Sequence, residues 1–441
     1  RFGFASVRVP EQEFSSAVLF CDVFNGPLTR CNGPVRPVAV EVAIDVGGLD
    51  GSGSFGVGEP PLKRRAQQSV RIEHGGKIAL LPAVHYALPE ERRSLPMSDR
   101  TILITGAAGE IGHGLIHALS GQPGVRLIAM DLREIPEELQ HKVDSVHVGD
   151  ICDRAFIEHV ISLHRVNEVM HLAALLSTSA ERAPEQAHEV NVQGTFNLLR
   201  TAAEHAQAYD EPIRFIFPST IAIYGVEPRE KDDLPPIREY QALRPITMYG
   251  ANKLYCEAMG RYYGRYYRSI TRGDRRPPID FRCLRLPGII SADTLPVGGT
   301  SDYVPEMIHA SARGESCVCF VREETCMPWM MMPECVEAIL KLAEAPVISR
   351  CVYNVASFSA TAGEFATAVR QHFPEADITF EPHAARQLLV DTWPADVDCL
   401  RAREDWGYEP RWNLEQAMSE YIVPTVRARY GGASTPEGAA P

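Results

Sequence analysis

Thr101-Ile102-Leu103-Ile104-Thr105-Gly106-Ala107-Ala108-Gly109-Glu110-Ile111-Gly112 reads as an apolar strand running straight into a glycine-rich turn and then a helix. Each glycine answers a physical demand. The first permits a tight turn, the second lets backbone N–H groups approach a ligand, and the third lets the helix pack closely. The spacing is G-x-x-G-x-x-G, not the G-x-G-x-x-G of the usual dinucleotide fingerprint, but it serves the same geometry. A helix starting there points its positive dipole end at a pyrophosphate. Gly106, Gly109, Glu110, Ile111 and Gly112 are therefore candidates for cofactor contact, against the simpler reading of a plain strand–helix turn.

Outward from this segment, short apolar runs alternate with helical stretches. Strands are predicted at 101–105, 126–130, 168–172, 213–217 and 281–286, with intervals long enough for crossover helices. That alternation predicts an α/β fold: a Rossmann-type, doubly wound parallel sheet with helices on both faces and right-handed crossovers. After residue 286 the alternation fades, which predicts a smaller C-terminal substrate-binding lobe over residues 287–430, closing on the carboxyl edge of the sheet. Residues 97–286 form the expected nucleotide-binding domain, and 431–441 read as a disordered tail. Residues 1–96 lack periodicity, carry Gly-rich runs and contain no Met, so they are expected to be a low-order extension. Met97, immediately before the first strand, is the expected natural start, the alternative being a genuine N-terminal extension.

Composition narrows the class. The 441 residues include 45% hydrophobic and 23% charged residues, as in soluble globular proteins, and no apolar run reaches the length of a membrane span. A formal net charge of −13 argues against a nucleic-acid surface. Of 44 basic and 57 acidic residues, only 11 and 10 lie in 1–96, so the acidity belongs to residues 97–441. Eleven scattered Cys show neither zinc spacing nor a complete disulfide framework, which predicts a reduced, cytoplasmic setting and no metal.

Nineteen residues beyond Gly112, Asp131 ends the second apolar run. A carboxylate there accepts both ribose hydroxyls of an adenosine and repels a 2′-phosphate, which favours NAD over NADP, although Arg133 nearby is able to accept such a phosphate. Asp150 and Ile151 follow another short apolar stretch, where an acid meets an adenine amino group or simply makes a turn. Tyr249 and Lys253, at i and i+4, share one helix face. A phenol titrates near 10, and a close ammonium stabilises its phenolate, so the pair makes a general base. Upstream, Phe217-Pro218-Ser219-Thr220-Ile221-Ala222-Ile223-Tyr224-Gly225 ends a strand with hydroxyls at its tip, suited to hold a substrate oxygen beside Tyr249. Ser219 and Thr220 both qualify. His171 reads as a satisfied core histidine and the Met327–Met332 run as packing.

Phe-Pro-Ser-Thr-x-x-x-Tyr-Gly, Tyr-x-x-x-Lys, the glycine turn and Asn191-Val192-Gln193-Gly194-Thr195, in that family's order, resemble the extended short-chain dehydrogenase/reductases over about residues 100–425. The resemblance implies a nicotinamide cofactor contacted also by Leu172, Ala173, Ala174 and Pro287, and Thr220, Tyr249 and Lys253 as the catalytic trio. Leu175-Leu176-Ser177, Arg285 to Ser291, Gly299-Thr300-Ser301-Asp302-Tyr303, Tyr353-Asn354-Val355, Asp391-Thr392-Trp393-Pro394 and Asp405-Trp406-Gly407-Tyr408 are similar to the short-chain type of L-threonine 3-dehydrogenase. That narrower resemblance implies NAD-dependent oxidation of the β-hydroxyl of L-threonine to 2-amino-3-oxobutyrate in amino-acid catabolism. Ser177, Ser219, Thr220, Gly288 and Thr300 would then meet the substrate, and a homodimer is expected. Three departures stand out: Ser301 where the family has Thr, Trp329 inside the Met-rich run, where it would narrow the pocket, and a basic stretch over 272–278. The alternatives are a nucleotide-sugar 4-epimerase or dehydratase of the same fold, and a non-catalytic NAD-sensing protein.

Overall fold

The computed structural model describes residues 100–271, 273, 276–296 and 299–430, together with the backbone of three strands upstream. The chain divides into two compact units, Arg1–Pro96 and Met97–Pro441. In the first, strands Val40–Ala43, Ser69–His74 and Lys77–Leu81 pair antiparallel. The remainder of the expected low-order extension, the tail 431–441 and part of the basic stretch lie outside the described residues.

In the second unit the strands of the two larger sheets are β1 (Arg100–Thr105), β2 (Val125–Asp131), β3 (Ser145–Val148), β4 (Glu168–His171), β5 (Ile213–Thr220), β6 (Ile279–Leu286), β7 (Gly288–Ile290), β8 (Cys326–Met331), β9 (Val352–Asn354) and β10 (Phe358–Thr361), and Cys317–Cys319 pairs parallel with Ile378–Phe380 apart from them. The longer helices are α1 (Glu110–Leu119), α2 (Arg154–His164), α3 (Thr195–Tyr209), α4 (Met248–Arg261), α5 (Tyr303–Arg313), α6 (Met332–Glu344) and α7 (Ala362–His372). Seven strands form one parallel sheet in the order β9-β6-β5-β4-β1-β2-β3. This is the doubly wound arrangement that the alternation of runs and helices predicts. In β1, Ile102 and Ile104 enter one hydrophobic cluster and Leu103 the other, so both faces of the sheet are covered. The strand order reverses between β1 and β4. The turns leaving these two strands open the crevice where such sheets bind ligands.

All five predicted strands are present in this sheet, where β3 and β9 are additional. β3 is the short stretch before Gly149, where Ser145 and His147 alternate with only two valines, and β9 has three residues, too short to stand out. β9 comes from the C-terminal part of the chain, so residues after 287 complete the nucleotide-binding sheet as well as building beyond it. A second sheet, β7-β8-β10, holds the Met-rich run at its centre. Trp329 there corrects the expectation that it narrows a substrate pocket. Its ring is 0% exposed, edge-on to Tyr303 and Phe365, and its indole N–H donates to the Ala360 carbonyl at 3.2 Å. A large aromatic side chain with its one donor satisfied is a core element.

Candidate active site

The glycine turn is built by close approach. Gly106 has φ +72°, and a Cβ on it would lie 2.6 Å from the Ala173 nitrogen, in the turn that leaves β4 across the crevice. A Cβ on Gly112 would lie 2.7 Å from the carbonyl oxygens of Gly106 and Ala107. The third glycine therefore seats α1 on the turn itself more than on the strand. Gly109 is different: its nearest contact would be 3.2 Å, and it starts α1 without a side-chain cap. It leaves the first helix amides without a side-chain acceptor, the requirement for phosphate oxygens. Glu110, beside it, bonds Thr294, and Ile111 packs partly on the core.

Asp131 faces this turn. Its carboxylate accepts the Ala108 N–H at 3.0 Å through one oxygen and the Arg133 N–H at 3.0 Å through the other. The Arg133 guanidinium reaches only 4.0 Å from it and is 76% exposed. Ala108 leads into the phosphate cradle, so one side chain ties the ribose end of the site to the pyrophosphate end. Leu172 and Ala173 border Gly106, the Leu172 N–H bonding the Thr105 carbonyl at 2.9 Å and Ala174 following directly. Asp150 is exposed and accepts the Cys152 N–H at 2.8 Å, a turn role, while Ile151 is buried against Gly194. An NAD molecule fits this arrangement: a cradle without Cβ atoms, uncapped amides, and a carboxylate beyond them. Asp131→Ala is expected to raise the KM for NAD about tenfold or more, the scale of a lost charge-assisted hydrogen bond, and to raise the ratio of NADP-linked to NAD-linked rate. Steady-state rates with both cofactors check this.

The proton-handling side rests on α4. Thr247 caps it, accepting the Gly250 N–H at 3.0 Å, and Glu181 takes the Met248 N–H at 2.7 Å. A Cβ on Gly250 would lie 2.1 Å from the Ala222 carbonyl oxygen, so only glycine lets the first turn of α4 press against the turn after Thr220. Lys253 Nζ donates to the Pro218 carbonyl at 2.8 Å, and lies 4.5 Å from the Phe217 ring centroid and 5.8 Å from that of Tyr249. Burial pushes the ammonium down to about 8 and pushes the Tyr249 phenol up. Thr220 Oγ1 accepts the Ala222 N–H at 3.1 Å, so its own O–H stays available to donate. Ser219 Oγ is buried and has no partner among the described residues. Register sets Thr220 opposite Leu286, the residue before Pro287 and Gly288, both buried.

Thr300 Oγ1 donates to Ser177 Oγ at 3.2 Å, so these two substrate candidates are brought together across 123 residues. A Cβ on Gly288 would strike the Trp329 ring at 2.6 Å, so Trp329 supports the site from beneath Gly288. His171 bridges Thr105 and Thr195 at 2.8 Å each, and burial, then the Lys253 ammonium, push it down to about 3. It is the satisfied, neutral core histidine that the sequence suggests. Sequence reasoning missed Asn191 as a support: its amide grips the Leu175 peptide, accepting from N–H at 2.7 Å and donating to the carbonyl at 3.0 Å, next to Ser177. It also missed Gly250, for which the glycine one place after the tyrosine was the available signal. Among the described residues no cluster of His, Cys, Asp or Glu is grouped to hold a metal.

A site of this kind, a glycine cradle at the sheet's switch point beside a Tyr–Lys helix, defines a nicotinamide-dependent enzyme. The model of the NAD-dependent epimerase/dehydratase family matches residues 102–356, and the chain belongs to that family. It is an NAD-dependent oxidoreductase. The mitochondrial L-threonine 3-dehydrogenase of Bos taurus is 35% identical over 74% of this chain and 82% of its own. The holo form of the GalE-like L-threonine dehydrogenase from Cupriavidus necator is 32% identical, covers 74% of this chain and 99% of its own, and superimposes with a TM-score of 0.64. The UDP-glucose 4-epimerase of Thermotoga maritima, solved with UDP-glucose, is 23% identical over 75% of this chain and 99% of its own, with a TM-score of 0.62, and shares the fold.

Proposed function

We propose that the protein oxidises the β-hydroxyl of L-threonine to give 2-amino-3-oxobutyrate, with Tyr249 as the base. The observation that carries this is the joined pair Ser177–Thr300, set by two segments of threonine-dehydrogenase type, in the same unit as Tyr249, Lys253 and Thr220. Small hydroxyl side chains at both positions suit the carboxylate and ammonium of a compact amino acid, and Thr300 is buried. Gly106, Gly109, Gly112, Asp131, Leu172–Ala174 and Pro287 hold the cofactor, with Lys253 toward its nicotinamide end. NAD supplies the hydride acceptor when bound. Thr220 donates its hydroxyl proton to the substrate oxygen and orients it, Tyr249 takes the β-hydroxyl proton, and Lys253 keeps the phenolate form accessible by opposing the effect of burial.

An enzyme for nucleotide sugars on this fold would need cationic contacts for a diphosphate, and a pure NAD sensor would have no use for the Tyr–Lys pair. Purified protein with NAD is expected to form NADH on addition of L-threonine and to leave UDP-hexoses unchanged. Turnover of a UDP-hexose without a threonine response would replace this reading with the epimerase one. A homodimer accompanies the proposal. Tyr255 and Tyr262 are 58% and 45% exposed and border a shallow recess with Phe196, Met259 and Tyr263, and Tyr266 nearby in sequence is 55% exposed, an aromatic face suited to a second copy. The nine described cysteines are free thiols, which supports a reduced compartment, and we propose the cytoplasm. No described helix is long and apolar enough to cross a membrane.

A further inference from the structure

Glu257 lies one turn beyond Lys253, so Tyr249, Lys253 and Glu257 form a row along one face of α4. The Glu257 side chain is 4% exposed and accepts two hydrogen bonds from Arg285, from Nε at 2.9 Å and from Nη2 at 2.6 Å. Arg285, 3% exposed, spends its remaining reach on the frame of the site. Its Nη1 donates to the Tyr224 hydroxyl at 2.8 Å and to the Glu239 carbonyl at 2.6 Å. Tyr224 in turn donates to Asn354 Oδ1 on β9 at 2.6 Å. Tyr224 is four residues after Thr220, Glu257 four after Lys253, and Arg285 two before Pro287. In the sheet register Arg285 sits opposite Ser219.

We propose that Glu257 and Arg285 are positioning residues for proton transfer: their bidentate pair locks α4 to the carboxyl ends of β5 and β6 and sets a negative charge one turn from the Lys253 ammonium. The inference rests on Tyr249 and Lys253 being the proton-transfer pair.

Stability alone does not account for the arrangement. Two buried charges lose much of their hydration, and well-packed apolar residues in their place are often neutral or stabilising. What an ion pair adds is direction. A fork-shaped guanidinium meeting a carboxylate through two bonds fixes both the rotation and the axial position of α4. A slide of α4 of about 1 Å would misalign the base at a cost on the order of a hundredfold in rate. The second contribution is electrostatic. The titratable groups around Lys253 are Tyr249, Cys256 and Glu257 on its own helix, His171 on β4 and Cys283 on β6, with the Arg285 guanidinium behind Glu257 offsetting part of its charge. Burial keeps His171 neutral and pushes both thiols up, so Glu257 is the member of this set that favours the ammonium by its charge.

Two variants test this: Glu257→Gln, and the double substitution Glu257→Met with Arg285→Met, each compared with wild type and with Tyr249→Phe for melting temperature, NAD affinity, kcat, KM and the pH dependence of kcat. We expect kcat to fall about tenfold or more in both variants, with the KM for NAD within about threefold, as suits misplacement of the base without loss of the cofactor site. In Glu257→Gln the loss of a negative charge makes Lys253 release its proton more easily and the Tyr249 phenolate form more easily. Both limbs of the kcat profile are therefore expected to move to lower pH by about half a pH unit or more. The double variant is expected to hold its melting temperature, which separates the lost rate from lost folding. A reduced kcat with an unmoved pH profile, or failure of both variants to fold, would assign the pair a structural role and overturn the proposal. So would wild-type kcat and profile in both variants while Tyr249→Phe is inactive. Full activity of Tyr249→Phe would instead remove the proton-transfer reading on which the inference stands.

Discussion

Tyr249→Phe is expected to lower kcat with L-threonine and NAD about a thousandfold and to leave NAD affinity within about twofold, since positioned general bases contribute some hundredfold to ten-thousandfold. The substitution removes one oxygen and keeps the ring that lies 5.8 Å from the Lys253 ammonium, so packing along α4 is preserved. Gly106, Gly109, Gly112 and Asp131 lie on other elements, which is why cofactor binding is expected to survive. The phenol is pushed up by burial, so wild-type activity is expected to rise with pH as the Tyr–Lys pair loses its first proton. The variant's residual rate should lack that dependence. Rates and NAD fluorescence titrations across pH measure both, and a variant with wild-type kcat would remove Tyr249 from the mechanism.

Lys253→Met is expected to lower kcat about a hundredfold or more, because without the ammonium nothing offsets the burial of the phenol. Its effect on stability has the opposite sign. In the folded, cofactor-free protein burial holds the ammonium at about 8, below its ordinary value of 10.5. The unfolded chain therefore binds more protons at this group between those values, and stability rises with pH through that window as the folded protein is relieved of a dehydrated charge. Below about pH 8 the penalty is fully present, and methionine removes it, at the cost of the Lys253 bond to the Pro218 carbonyl. The melting temperature of the cofactor-free variant is expected to exceed that of wild type at about pH 6, and the gap to shrink as pH approaches 10. A gap that grows with pH would contradict the assignment of Lys253 as a buried ammonium. Activity and stability here pull against each other, as at many functional sites.

How far the sequence alone reached can be seen residue by residue. The strand–glycine–helix segment was legible because its chemistry is local: Gly106 needs its positive φ, and Gly112 meets atoms of the same turn. Asp131 was legible by distance along the chain from that turn, and its bond to the Ala108 N–H follows from adjacent parallel strands. Tyr249 and Lys253 were legible from helix spacing. Glu257 sat at the next step of the same spacing but gave no signal by itself, because a glutamate on a helix is ordinarily solvated, and its burial depends on Arg285, 28 residues away. Trp329 was misplaced for the same reason: its neighbours Tyr303 and Phe365 come from two different helices and were not visible as a cage. β9, three residues long, becomes a strand only because the edge of β6 is there to pair with it. Local geometry is written in short stretches of chain; contacts between distant stretches must be read from the fold.

In the proposed reaction a hydride leaves Cβ of L-threonine for NAD while Tyr249 takes the hydroxyl proton. L-threonine carrying deuterium at Cβ, turned over with NAD and the products analysed by mass spectrometry, tests it directly. The deuterium is expected to appear in the reduced cofactor in step with 2-amino-3-oxobutyrate, and this transfer to be lost in Tyr249→Phe. Deuterium retained in unreacted threonine with no NADH formed, or washed out into solvent, would contradict it.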